Sequence, residues 1–341
     1  MDFKAAIAAL FILALAYFSD PYFRSLVQTV ASRFKGRNEP PLPSHLTPVS
    51  VNYHFSRKCN FECGFCFHTA KTSHVEHIDN MKRGLKLLKN AGMKKINFAG
   101  GEPLLYPAIL SQLVEFCKAE LKLESVSIVT NGSKLTERFL QKSAQYIDII
   151  AVSCDSFKED VNVKIGRGKG DHLAQVRKVS KLCKEYNVKF KLNTVVNRYN
   201  FDEDMNDGVR ELAPFRWKCF QVLIIEGEND SDKTLRDASR FAISDEEYQR
   251  FCDTHSQNKA FVAESNKVMK SSYLILDEYM RFLNKGTGDP TESILKVGVR
   301  KAMENVKWDT ESFHERGGIY DWTKGESGTG CGTAERSGLD W

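Results

Sequence analysis

The chain has 341 residues, an apolar fraction of 42% and a formal net charge of only +5. That length suits one large α/β domain with additions, or two small ones, and that apolar share suits a packed globular core. A surplus of 49 Lys and Arg over 44 Asp and Glu is too small for a nucleic-acid groove, and nine cysteines, an odd number, argue against a disulfide framework.

Residues Ala5–Phe18 form a 14-residue run without a charge, short of the roughly 20 apolar residues that span a bilayer. Asp20 and Pro21 then read as cap and first position of a helix. Tyr22, Phe23, Leu26, Val27, Val30 and Phe34 recur in it at helical spacing, with Arg24, Arg33, Lys35 and Arg37 around them. An apolar stripe with a basic flank predicts a helix lying in a membrane interface, over residues 1–38. A secretory signal and a buried core helix are the alternatives. Residues 39–48 hold four of the nine prolines and predict an extended linker.

From Val49, strand-like and helix-like segments alternate. The strand candidates are Val49–Phe55, Lys95–Phe98, Val126–Thr130, Ile147–Ser153, Val188–Val195 and Trp217–Ile225. Helical stretches lie between them at Met81–Asn90, Ala108–Ala119, Glu137–Ala144 and Leu173–Tyr186. Parallel neighbours need helical crossovers, so the fold expected for residues 49–225 is α/β with six βα units, an open sheet or a partial barrel. Residues 226–341 read as a C-terminal extension. Ser244–Thr254 predicts a helix with a Ser244/Glu247 capping box, Ser271–Leu283 predicts another, and the glycine-rich tail from about Gly317 predicts loop.

The chemistry begins at Cys59, Cys63 and Cys66, a C-x3-C-x2-C loop directly after the first strand candidate. Thiolates on so short a loop converge on one inorganic centre. Three ligands to a [4Fe–4S] cubane leave one iron open, which means reactivity rather than electron transfer alone. A zinc knuckle with His68 as fourth ligand is the rival reading. Cys117, Cys154, Cys183 and Cys252 sit singly in apolar segments and read as core, Cys219 falls in a strand candidate and Cys331 in the tail. This usage fits a reducing, cytosol-facing environment.

The triad, with Phe65 before its last cysteine, resembles the signature of the radical S-adenosylmethionine superfamily. Gly100-Gly101-Glu102-Pro103 after the second strand resembles the superfamily's motif for the amino group of S-adenosylmethionine. Asn131-Gly132-Ser133 after the third and Ser153 ending the fourth resemble positions on its ribose or carboxylate. Each is weak alone, since Gly-Gly-Glu-Pro and Asn-Gly are common turns. Their order on successive βα loops is what points to a single rim. Between an open sheet and a partial barrel, this resemblance implies the partial barrel.

Cys59–Ser73, Asn97–Pro103, Ser153–Phe157, Asn162–Gly168, Ile225–Asn229 and Ser272–Leu283 further resemble the viperin family, as does the terminal Leu339-Asp340-Trp341. Residues Gly325–Gly338 are more glycine-rich than that family's tail. The resemblance implies an antiviral nucleotide dehydratase that turns a ribonucleoside triphosphate, CTP by analogy, into its 3′-deoxy-3′,4′-didehydro form. It implies a 5′-deoxyadenosyl radical that takes the 4′ hydrogen. It implies cofactor contacts at Phe65, Phe67, Gly100, Gly101, Glu102, Pro103, Asn131, Ser153 and Arg167. His68 and Lys71, which follow the cluster loop, either shape its pocket or order the loop. The triphosphate is expected on Lys95, Lys191, Asn193, Arg216 and Lys218, where residues two apart on a strand share a face. Tyr273 is expected near the departing hydroxyl. The same resemblance implies the cytosolic face of the endoplasmic reticulum or lipid droplets, and recruitment of the cytosolic iron–sulfur assembly machinery through Trp341. It leaves the electron donor open. Two other readings compete: a different radical enzyme, such as a nucleotide cyclase of molybdenum-cofactor synthesis or a protein-activating enzyme, and a membrane-surface scaffold with a structural metal.

Overall fold

The computed structural model describes residues 41–284 and 289–324, together with Asp20, Pro21 and Ser25. The chain divides into two compact units, Met1–Leu42 and Pro43–Trp341. In the first, Pro21 and Ser25 are helical; the rest of the expected interfacial helix lies outside the described residues, as does the tail from Gly325. Among the described residues no helix is long and apolar enough to cross a membrane.

The second unit is one parallel sheet of eight strands in the order β7-β6-β5-β4-β3-β2-β1-β8. The strands are β1 (Ser50–His54), β2 (Lys95–Ala99), β3 (Ser125–Thr130), β4 (Ile149–Ser153), β5 (Lys189–Val196), β6 (Arg216–Gln221), β7 (Phe261–Glu264) and β8 (Leu274–Leu276). Helices α1 (Ile78–Asn90), α2 (Pro107–Glu115), α3 (Glu137–Ser143), α4 (Glu159–Ile165), α5 (His172–Glu185) and α6 (Asn206–Leu212) fill the first five crossovers. Along each strand the side chains alternate. Val51, Tyr53, Ile96, Phe98, Ile150, Val152, Leu192 and Trp217 are buried on the helix side, whereas Asn52, Asn97, Ala151, Asn193 and Lys218 face a lumen.

Two strands more than expected are present, and both come from the C-terminal extension. After α7 (Asp245–His255), whose Ser244/Glu247 capping box is formed as read, β7 adds to β6. The chain then makes α8 (Asn266–Ser272) and enters β8, which pairs with β1 at the opposite edge. Eight strands laid flat would be roughly 34 Å wide, and a seven-residue helix is only about 10 Å long. The link therefore requires the sheet to curl until its edges nearly meet.

The helix expected over Ser271–Leu283 is corrected. Leu274, Ile275 and Leu276 are buried in succession rather than on one stripe, which suits a strand covered on both faces. Asp277 then stops the segment, its carboxylate accepting from the backbone N–H groups of Tyr279 and Arg281 (2.9 and 2.8 Å) while Met280 turns left-handed at φ 59°. The strand expected over Trp217–Ile225 ends at Gln221. Two later helices, α9 (Ile294–Met303) and α10 (Thr310–Glu315), precede a strap over residues 316–324. The strap crosses the N-terminal ends of the strands: Ser125 Oγ donates to Trp322 O (2.9 Å) and Lys189 Nζ to Asp321 Oδ2 (2.7 Å).

Candidate active site

One cavity of about 350 Å³ runs along the lumen, in the range of small-molecule sites, and it is lined by the three cysteines at one end and by Lys191, Lys218 and Arg316 toward the other.

The cysteine loop is held by backbone contacts with the loop after α4. Glu62 N donates to Gly166 O (3.1 Å) and Gly64 N to Ile165 O (2.9 Å). Gly166 has φ +88°, and a Cβ there would collide with the Glu62 carbonyl, so only glycine permits this approach. Asn229 Nδ2 donates to Phe65 O (2.8 Å), and the Phe65 ring meets Phe241 edge-on at 5.7 Å. Buried Arg57 ties the base of the loop to Glu278 (3.0 Å) and Glu228 (3.2 Å).

These residues fit an iron–sulfur cluster. All three sulfurs face one cavity, and all eight described cysteines are free. Burial raises the Cys59 and Cys66 thiols and pushes Cys63 up to about 12, so their thiolates need a bound cationic centre to form at neutral pH. Cys59 Sγ already accepts from Phe61 N (3.4 Å) and faces Asn131 Nδ2 (3.9 Å), the N–H···S contacts that stabilise cluster thiolates. His68 does not line the cavity with them; its ring packs edge-on against His54 at 4.4 Å. When bound, the cluster and S-adenosylmethionine supply a carbon-centred radical.

The Gly-Gly-Glu-Pro loop lies backbone to backbone on the segment that leads into the cysteines. Gly101 N donates to Ser56 O and Glu102 N to Lys58 O, both at 2.8 Å. A Cβ on Gly100 would meet the Ser56 carbonyl, and one on Gly101 the carbonyls of Arg57 and Lys58. Gly100, Gly101, Phe65, Phe67, Asn131, Ser153 and Arg167 all line the cavity as expected. Glu102 and Pro103 lie behind the wall. The Glu102 carboxylate accepts from Leu104 N (3.0 Å), Thr130 Oγ1 (2.7 Å) and Asn131 N (2.7 Å). Its contribution is to fix Asn131 rather than to reach the lumen. Burial raises its pKa against these three donors. Arg167 is held by Asp155, whose second oxygen accepts from Val195 N (2.9 Å). Asp155 was not legible as a site residue, although it sits inside the Ser153–Phe157 match.

At the far end, Lys191 half-faces the lumen without a hydrogen-bond or ion-pair partner among the described residues. Burial, then the neighbouring Lys218 and Lys95, push it well below an ordinary lysine. Asn193 Oδ1 is buried and unpartnered beside it. Lys218, lowered by burial to about 8, contacts Glu264 and lies 3.2 Å from the Tyr273 hydroxyl. Lys95 lines the cavity too, but its Nζ donates to Ser125 and Ser127 (3.1 and 2.9 Å) and lies over the rings of Tyr320 and Trp322. It braces the strap, and burial lowers it to about 7. Arg216 has the inward parity but sits at the first residue of β6, where the strap covers it. It donates to Gly317 O (3.2 Å) and lies over the Tyr320 ring, outside the cavity.

Two residues had no sequence signal. Arg316 follows α10, lines the cavity, lies over the Tyr273 ring at 3.8 Å and approaches Glu264 at 3.6 Å. Glu264 ends β7 and takes a hydrogen bond from Tyr273. Tyr273 therefore stands in the lumen, as expected, and not in a helical core.

A family model described as the radical SAM superfamily matches residues 53–212. The S-adenosylmethionine-dependent nucleotide dehydratase RSAD2 of Siniperca chuatsi is 50% identical over 321 residues, covering 88% of this chain and 91% of that protein. The RSAD2 of Danio rerio is 52% identical, covering 86% and 84%. The chain belongs to the radical SAM nucleotide dehydratases. This dehydratase is thus an enzyme with a [4Fe–4S] cluster and S-adenosylmethionine as cofactors, which displaces the scaffold reading and the cyclase and activating-enzyme readings. A dehydratase of Flammeovirga pacifica shares 37% identity over 80% of this chain and 96% of its own. The fold agrees with solved radical SAM structures: native anSMEcpe with bound AdoMet superposes with a TM-score of 0.57 at 14% identity, covering 79% of this chain and 82% of its own. Streptococcus suis SuiB bound to S-adenosylmethionine gives 0.55 at 17% identity, covering 82% and 70%.

Proposed function

We propose that this dehydratase acts on a nucleoside triphosphate, CTP in particular, and releases 3′-deoxy-3′,4′-didehydro-CTP. The ribose loses a hydrogen atom from C4′, carried away in 5′-deoxyadenosine, and the hydroxyl from C3′, which leaves as water with an added proton; one electron from an external protein or chemical reductant then completes the C3′–C4′ double bond. The observation that carries this reading is a set of buried cations, Lys191, Lys218 and Arg316, lining the same lumen as the cysteines at its far end. Lys218 and Arg316 share one carboxylate, Glu264, so the group holds more basic side chains than acids, and a phosphate chain is an anion of the right reach. Tyr273 lines the same lumen, with Lys218 at 3.2 Å. Its hydroxyl is a proton source for the departing 3′ oxygen.

The test is anaerobic reconstitution followed by assay against the four ribonucleoside triphosphates. Formation of 5′-deoxyadenosine is expected to rise most with CTP, with matching consumption of that nucleotide. A rise with another triphosphate, or with none, would overturn the substrate assignment.

The reading extends to residues outside those described. An apolar stripe with basic flanks in residues 1–38 supports attachment to a membrane surface, on the cytosolic face of the endoplasmic reticulum or on lipid droplets, where an antiviral nucleotide would be made. Binding of a peptide of residues 1–38 to vesicles containing anionic lipid tests this. Trp341 supports recruitment of iron–sulfur assembly factors. Deleting it should lower iron content in cells yet spare activity after chemical reconstitution.

A further inference from the structure

Glu264 is fully buried at the end of β7, on the inward-facing parity that it shares with Phe220 and Lys218 across the β6–β7 pair. It contacts Lys218 and accepts from Tyr273, and Arg316 stands 3.6 Å away. These two cations are the ones that the triphosphate reading assigns to the phosphate chain, so the carboxylate and the nucleotide compete for the same charges. We propose that Glu264 is an internal counter-ion, displaced from Lys218 and Arg316 by the phosphate chain and protonated as the nucleotide binds. The proposal rests on the triphosphate reading of this end of the lumen.

The charges around Glu264 fix the direction. Burial pushes its carboxyl up, but Lys218 and then Arg316 pull it down further, and the net position is low. Phosphate oxygens on those cations cancel the pull and add negative charge, leaving burial to favour the neutral acid. The other groups facing it do not replace the lost pull. Burial pushes Lys191 well below an ordinary lysine, Tyr273 and Tyr320 are raised, and Tyr248 and Cys219 behind it are raised by burial as well. In the empty enzyme the carboxylate keeps two buried cations from standing unpaired, which lets the cavity wait for substrate without collapsing or filling with stray anions. In the loaded enzyme a neutral Glu264 donates to the Tyr273 oxygen, which leaves that hydroxyl's own hydrogen for the 3′ oxygen.

The measurement is calorimetric titration of CTP into the full-length, cluster-loaded protein in two buffers of different ionisation enthalpy. Lys191 and Lys218, both lowered by burial and both raised by Glu264, also take up protons as phosphate arrives, so the carboxyl is read directly, by the protonated-carboxyl C=O band that infrared difference spectroscopy should show when CTP binds. That band should be absent in Glu264→Gln. Glu264→Asp, which keeps the charge, should keep the band. A CTP-bound wild type without that band would overturn the proposal. If Lys218→Ala leaves CTP affinity unchanged, the site reading itself fails, a result separable from the others.

Discussion

The carboxylate of Glu102, at the end of the loop after β2, accepts the backbone N–H of Asn131 after β3 at 2.7 Å, with Thr130 Oγ1 at the same distance on its other oxygen. A side chain that sequence reasoning sends toward the cofactor therefore works one layer back, joining two loops of the rim. Replacing it with alanine leaves three donors without their acceptor. Glu102→Ala should lose roughly 2–4 kcal/mol of stability, since hydrogen bonds to charged groups are worth about 1.5–3 each and part is recovered by water. It should also weaken S-adenosylmethionine binding, and urea unfolding and equilibrium binding on the same preparation check both effects.

The glycines of that loop make a sharper prediction. A methyl group on Gly101 has carbonyls of Arg57 and Lys58 in its place. Overpacking of this kind costs about 1–3 kcal/mol, but here it also pushes on the segment that sets Cys59. Gly101→Ala should fold and yet hold well under half the wild-type iron. Cys117→Ala, in the core far from the rim motifs, should hold all of it.

His172 gives a pH dependence. Burial holds its ring neutral, with a pKa lowered from 6.5 to about 3, while Nε2 pairs with Ser153 O at 2.9 Å. Below pH 6.5 the unfolded chain takes up a proton that the folded chain refuses. Stability therefore falls as pH drops from 6.5 toward 3, by at most about 1.4 kcal/mol per pH unit from this group. Urea midpoints between pH 7 and 5 should show the decline, and His172→Gln should reduce its slope.

Tyr273 separates binding from chemistry. Tyr273→Phe keeps the ring under the Arg316 guanidinium and removes the hydroxyl. CTP affinity should change less than about threefold, while dehydrated product per 5′-deoxyadenosine formed falls by roughly tenfold or more, the scale of a lost proton donor. Equal coupling in wild type and variant would remove Tyr273 from the proton transfer.

What was legible in the sequence follows from locality. Cys59, Cys63 and Cys66 share one loop, and Gly100 to Pro103 another, so their chemistry is written in adjacent letters. Lys191, Asn193 and Lys218 were found through the two-residue period of a strand, a rule that holds wherever one face is enclosed. The same rule gives Arg216 its inward parity, but parity says nothing of what covers a strand's first residue, and the strap carrying Tyr320 covers this one. Arg316 and Glu264 were invisible for a related reason. They meet Lys218 only because β7 and β8 close the sheet, and those strands were hidden in a segment whose apolar run at Leu274–Leu276 is short enough to pass for helix. Asp155 lay in plain view within a matched motif, and only its bond to Arg167 reveals its use.

The link from β7 through α8 to β8 also sets a schedule. Because the two outermost strands are stitched together by that short stretch, the ring cannot be finished while the ribosome still holds residues before Leu276. Until then the cysteine loop borders an open trough with water on one side. The end of the lumen where Lys218, Glu264, Tyr273 and Arg316 meet is thereby completed only in a nearly full-length polypeptide.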